Sequence, residues 1–437
     1  MEEKKVPRTD LIRSNNFISS VYVFISFIIF FSPIFILFDN YKYYEILKQF
    51  IYIIVSGVIL FVVIFNGKII INKFFINSGS RIDIVLLLCV IVFFIYLQII
   101  KPYYNYLKIE AYIYSFFISS GIFFFSYIIK LNEKNIIKIT NSFIISSYFI
   151  STTAILMINR GFRIPQYYTI DIKNQIGPTV LLSSVILLTN SLYNFNKKYN
   201  LLYFLAYLYG LIMLLILRSR ASIVSILITS LFIWFLRIKK AKNKRRYFLI
   251  SFLIFIIIIG NYSNVIKPIK YALFAGKNIY DIDSLSSNRY SRIIEGLNNF
   301  IKNPLFGYKE LDFSRAHCSF LGYVIDLGLL GSWPLLFIYF YIVFIILFRK
   351  ENDYIRCGYN SLFYIKPLFM GAYIVSLFEV NSPFGPGFLY YYLWFILGQY
   401  LQEDKICRKI KDLKNFDHCN NKYLQAYKNF RNFDLRV

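Results

Sequence analysis

The sequence predicts an all-α fold, a polytopic helical integral membrane protein with about twelve transmembrane helices. Two observations carry that expectation. Of the 437 residues, 57% are hydrophobic and 16% charged, whereas a soluble domain carries about 25% charged residues. Apolar runs long enough to cross about 30 Å of hydrocarbon recur along the whole chain.

Hydropathy sets the spans in order. The first five are Phe17–Phe38, Ile46–Phe65, Ile82–Ile100, Ile109–Ile129 and Ile136–Ile158. Next come Ile176–Tyr193, Tyr199–Leu217, Ala221–Leu236 and Tyr247–Gly260. The last three are Phe320–Phe348, Leu362–Val380 and Phe384–Leu401. The tenth is too long for one straight crossing, and Gly328, Gly331 and Pro334 are expected to break it, so that it begins as a half-helix at the outer face.

Orientation follows from the connecting segments. With both termini inside, the inner segments hold 30 Lys and Arg and the outer ones 16, of which 8 lie in one long loop, residues 261–318, between spans nine and ten. The run Arg237 to Arg246 is the strongest inner anchor, with anionic-lipid binding as its alternative role. The net charge of +26 would suggest nucleic acid in a soluble protein, but here the positive-inside rule accounts for it and no nucleic-acid partner is expected. The first apolar run is too long for a cleavable signal, and Cys89, Cys318, Cys357, Cys407 and Cys419 have no metal-ligand spacing. Residues 1–402 form one transmembrane domain, followed by a basic cytoplasmic tail over 403–437.

The informative polar residues gather on the outer side. Arg160 and Arg163 lie in the segment that joins spans five and six, Arg218 and Arg220 at the tight turn between spans seven and eight. Arg289, Arg292 and Arg315 lie in the long loop. This distribution runs against the positive-inside preference. Arg218 can equally be a snorkelling side chain; Arg220 opens a helix among small residues and fits anion binding better. A guanidinium grips phosphate oxygens bidentately, which an ammonium does not. His317 is the sole histidine outside the tail and stands at the mouth of the tenth span, where it is either a base or an interfacial side chain without a role.

The long loop carries one helix signal. From Ser287, a candidate N-cap, Tyr290, Ile293, Ile294, Leu297, Phe300 and Ile301 keep a 3.6-residue period that Asn303-Pro304 stops. Its apolar side can lie on the membrane surface or on the bundle top. Asp281 and Asp283 stand alone in a flexible stretch, no other acidic pair appears outside, and no Walker sequence exists, so neither metal nor nucleotide is expected.

Together these pieces resemble the bacterial O-antigen polymerases and the related O-antigen ligases. The matching stretches are Lys173-Asn174-Gln175-Ile176-Gly177, Ser219-Arg220-Ala221, and Ser287-Asn288-Arg289 leading to Asn303-Pro304-Leu305-Phe306-Gly307. Ala316-His317 through Gly331 and Ser382-Pro383-Phe384-Gly385-Pro386 complete the set, which covers roughly residues 159–398. The family often has Asn after its histidine, where this chain has Cys318, and Gly after its Ser-Arg pair, where this chain has Ala221.

The resemblance implies transfer of a glycan from undecaprenyl pyrophosphate on the periplasmic face of the inner membrane, with no metal or cofactor. His317 would be the catalytic base and the outer arginines the pyrophosphate grip, with Lys173, Asn174 and Glu379 as secondary substrate contacts. The partners it implies are the carrier-linked oligosaccharide, membrane lipid and a chain-length regulator protein. A polymerase is favoured over a ligase acting on lipid A-core, mainly from the Ser287–Gly307 stretch and the terminal Pro-Phe-Gly-Pro. A lipid-linked oligosaccharide flippase is the alternative of another class; it would call for ionisable groups deep in the bundle, and only Asp326, Lys366 and Glu379 fit that position.

Overall fold

The computed structural model describes residues 81–100, 119–127, 131–159, 166–193, 197–240, 278, 280–286, 289–307, 319–348, 364–378 and 391–402, with scattered positions at 20–31, 53, 57 and 267–274. Within them the helices are α1 (Arg81–Ile100), α2 (Glu133–Asn159), α3 (Gln166–Tyr193), α4 (Asn200–Leu217) and α5 (Arg220–Lys240). Then come α6 (Ile282–Ser286), α7 (Arg289–Lys302), α8 (Ser319–Phe348) and α9 (Ile365–Ser376), with further helical residues at 119–127 and 391–402. No strand occurs among the described residues. Glu133–Met157, Ile176–Tyr193, Asn200–Leu217, Arg220–Ile238 and Phe320–Tyr341 have the length and hydropathy to cross a membrane, with Leu88–Ile99 and Ile365–Ser376 as shorter apolar helices. Over the described residues the protein is an all-helical, membrane-embedded bundle.

Helix α3 is its centre. It packs against α2, α4, α5 and α9, and 72% of its apolar window is buried against 28% in α4. The difference is written in the side chains. α3 carries Ser183, Ser184 and Thr189 inside, small polar groups that let neighbouring backbones approach. α4 turns Leu201, Leu205, Ile212 and Ile216 outward, as a lipid-facing helix does. Hydroxyls join the helices where lipid offers no other partner. Thr140 of α2, Tyr364 at the head of α9 and Tyr392 form a closed ring with each pair of oxygens 3.0 Å apart.

Three expectations need correction. The segment 166–175, read as part of a loop, is the first part of α3. Hydropathy registers only the apolar portion of a helix, and Pro178 costs this one a single hydrogen bond, to the Asn174 carbonyl, without stopping it. The tenth span does break, but at Gly328 alone (φ 67°, ψ −177°), while Gly331 and Pro334 lie in continuous helix. Gly331 serves close packing instead, since a Cβ there would lie 2.7 Å from Cζ of Tyr96. Lastly, Asp281 and Asp283 lie not in a flexible stretch but in a hydrogen-bonded turn and the short helix α6.

The break folds α8 back on itself. Phe320 and Tyr339, about 28 Å apart on a straight helix, have ring centroids 6.5 Å apart. The segment before Gly328 is therefore a half-helix lying beside the longer one, as the sequence led us to expect.

Candidate functional site

The turn between α4 and α5 is built from Arg218-Ser219-Arg220. Arg218 takes the left-handed conformation (φ 52°) that ends α4, and the Ser219 N–H reaches back to the Leu214 carbonyl at 3.4 Å. The Ser219 carbonyl then accepts the first bond of α5, from Ile223 at 2.8 Å, and its hydroxyl donates to Ser222 Oγ at 3.0 Å. Ser219 is buried against Gly177 of α3, where a Cβ would lie 2.6 Å from that of Ser219. Close approach of α3 thus fixes the turn and the direction in which Arg220 leaves it.

The two arginines of this turn separate in role. Arg218 is exposed, lies over the Tyr271 ring at 4.9 Å and donates to its hydroxyl at 3.2 Å. It is a cap held by an aromatic. Arg220 is half-buried and within electrostatic reach of Arg289, the first residue of α7. Arg289 in turn donates through Nη1 to the carbonyl of Phe378, just past the end of α9. That carbonyl belongs to the negative end of a helix, which draws a cation. So α5, α7 and α9 bring two guanidinium groups together at one end of the bundle.

The N-terminus of α7 is prepared for this. Tyr290 N–H donates to Ser286 Oγ at 3.2 Å and Ser291 N–H to the Asp283 carboxylate at 2.8 Å. The Asp283 N–H donates to Asp281 Oδ1 at 3.0 Å. Asp283 is therefore the cap of α7 and places a carboxylate where the helix dipole favours one, while Asp281 caps the short helix α6. Ser287, the cap read from the sequence, lies outside the described residues.

At its other end α7 leads into Asn303-Pro304-Leu305-Phe306-Gly307, which inserts into the break of α8. Leu329 N–H donates to the Pro304 carbonyl at 2.9 Å and Leu330 N–H to the Leu305 carbonyl at 3.1 Å. These are amides that a helix start leaves without partners. On the other side of the break the Tyr96 hydroxyl donates to the Leu327 carbonyl at 2.7 Å. The half-helix is thus closed at Gly328 by groups from α1 and from the turn after α7.

Its opposite end leads, through Tyr339 and Ser376, to the end of α9 that holds Arg289. Phe320 lies against Tyr339, whose hydroxyl bonds Ser376 Oγ, two residues before Phe378. The start of α8, the end of α9, Arg289 and Arg220 accordingly share one region. Pieces of the sequence motifs that were separate along the chain are joined here: Gly177 packs on Ser219 and Gly307 on Gly328, while Arg220 and Arg289 lie within electrostatic reach of each other.

Of the other residues singled out, Arg292 is half-buried on α7, and Lys173 and Asn174 lie on the first part of α3. Arg160, Arg163, Arg315, His317 and Glu379 lie outside the described residues. Sequence reasoning missed Tyr271, Tyr96, Tyr339 and the Phe378 carbonyl. The first three are tyrosines among 39, and a backbone carbonyl leaves no mark in a sequence at all. No protein-family model matches the chain, and no curated protein matches it.

Proposed function

We propose that the protein is an O-antigen polymerase: it transfers a growing glycan from undecaprenyl pyrophosphate to a hydroxyl of a carrier-linked repeat unit. One observation carries the reading. Two guanidinium groups from different helices, Arg220 and Arg289, are held within electrostatic reach at one end of a membrane bundle. Like charges so placed repel, and an anion between them reverses the sign of that interaction. A pyrophosphate on a lipid carrier is such an anion.

The chemistry asks for little else. The acceptor hydroxyl oxygen attacks the anomeric carbon, the bond from that carbon to the pyrophosphate oxygen breaks, and the configuration inverts. His317, two residues before the half-helix, takes the hydroxyl proton, because a sugar hydroxyl is a poor nucleophile until a base removes it. The leaving pyrophosphate oxygen takes the bonding pair and gains a negative charge, which needs stabilisation more than protonation; Arg220 and Arg289 supply it, joined by Arg160, Arg163, Arg292 and Arg315. Lys173, Asn174 and Glu379 are secondary contacts with the glycan. Neither metal nor cofactor takes part. About twelve spans, both termini inside and the site on the periplasmic face of a bacterial inner membrane complete the proposal.

The test is extension of a polyprenyl-pyrophosphate repeat unit by the purified protein in EDTA. His317→Ala should lower the rate by about 10²–10⁴; a rate near that of the parent removes the base. Deletion followed by gel analysis of lipopolysaccharide separates the classes. Core plus one repeat indicates a polymerase and bare core a ligase. Loss of a flippase would leave carrier-linked units facing inward.

A further inference from the structure

Helix α7 is divided lengthwise into three faces, and two are accounted for. Gly296 and Asn299 are buried against the bundle, with Arg289, Arg292, Ile293 and Phe300 half-buried on the same side. Ser291, Glu295, Asn298 and Lys302 form an exposed polar strip that water satisfies. Between these lies a third strip of Tyr290, Ile294 and Ile301, confined to about 40° of arc at 100° per residue. All three are exposed, Ile301 by 71%.

This strip does not end with the helix. It runs on into exposed Leu305, whose carbonyl binds the Leu330 N–H, and so onto the outer surface of α8 at Leu330 and Trp333. That surface belongs to an apolar helix of a membrane-embedded bundle, and its natural solvent is lipid. The arginines of α7 face the opposite way, toward the bundle.

We propose that the Tyr290–Ile294–Ile301 strip docks on phospholipid, so that α7 sits at the membrane boundary with its apolar strip against acyl chains and its polar strip in water. An aqueous strip of this kind would expose three large apolar side chains for no return, whereas contact with the bilayer buries them beside Trp333, a residue suited to the interface.

The experiment is photo-cross-linking of the whole chain in vesicles of phosphatidylethanolamine and radiolabelled phosphatidylglycerol. p-Benzoylphenylalanine is placed singly at Ile294 or Ile301, and for comparison at Asn298 or Glu295. All four positions are exposed, so each variant tests the strip without disturbing the core. Labelled lipid should attach at 294 and 301 several-fold more than at 298 and 295. Equal labelling on both strips, or adducts at 294 and 301 to protein alone, whether a second copy or a partner, overturns the proposal. Because the readout is lipid attachment and not polymer formation, its failure is distinct from failure of the polymerase reading.

Discussion

Gly307 and Gly328 meet backbone to backbone: a Cβ on Gly307 would lie 2.6 Å from the Gly328 nitrogen and from the Asp326 carbonyl oxygen. Both have positive φ, 80° and 67°. One turn of loop and one break in a helix are thereby made a single joint.

Substituting either glycine by alanine should destabilise strongly. The positive-φ backbone alone costs about 1–3 kcal/mol for a residue with a Cβ, and the steric contact adds to it. Since both changes spoil one joint, the double variant should lose less than the sum of the two. Thermal unfolding in detergent measures this, with Gly57→Ala as control, because nothing lies within 4 Å of a Cβ there. An additive double variant would mean that the joint does not exist.

Gly177→Ala should displace the Ser219-Arg220 turn and lower activity. The obstacle is the Ser219 Cβ at 2.6 Å, so Ser219→Gly should restore function in the double variant where Ser219→Ala does not. Polymer yield at matched membrane levels is the measurement.

Arg218 and Arg220 should respond oppositely. Arg218→Gly relieves a left-handed residue, gaining about 1 kcal/mol, and loses the Tyr271 contact, worth about 0.5–1 kcal/mol. The net change in stability should be near zero, and activity should persist. Arg220→Lys keeps the charge but loses the planar fork, and should remain clearly impaired. Polymerisation by Arg220→Lys and Arg220→Ala at the parental rate would remove Arg220 from the site.

Thr140→Val should cost about 1 kcal/mol. It removes one corner of the buried hydroxyl ring, yet Tyr364 and Tyr392 still pair at 3.0 Å. Tyr392→Phe, which also leaves a stacked ring 4.2 Å from Phe143, should cost a similar amount, readable in a thermal shift.

The parts of the fold legible in the sequence are those set by local pattern. The 3.6-residue period from Tyr290 to Ile301 corresponds to α7, and Gly328 in an overlong apolar run corresponds to the half-helix. Where tertiary contacts decide, the pattern misleads. Gly331 reads as a breaker, but its lack of a side chain admits Tyr96, and Pro334 is absorbed by a helix that packing holds together. The polar residues 166–175 read as loop because hydropathy does not see a helix that continues beyond its apolar part. At the site, the sequence marked Arg220 and Arg289 separately but held no sign of their adjacency, since one is aimed by a glycine 43 positions upstream and the other by a backbone carbonyl.

The folded-back form of α8 bears on how such a chain can change over time. The stretch from Leu329 to Phe348 is by itself about 30 Å long, enough for one crossing. The half-helix before it, about 15 Å long, is too short to cross and so does not alter the parity of crossings. A descendant could lengthen, shorten or replace that element, and every later helix would still insert the same way round. The portion of the run nearest the Arg220–Arg289 region is thus free to diversify without rethreading the protein.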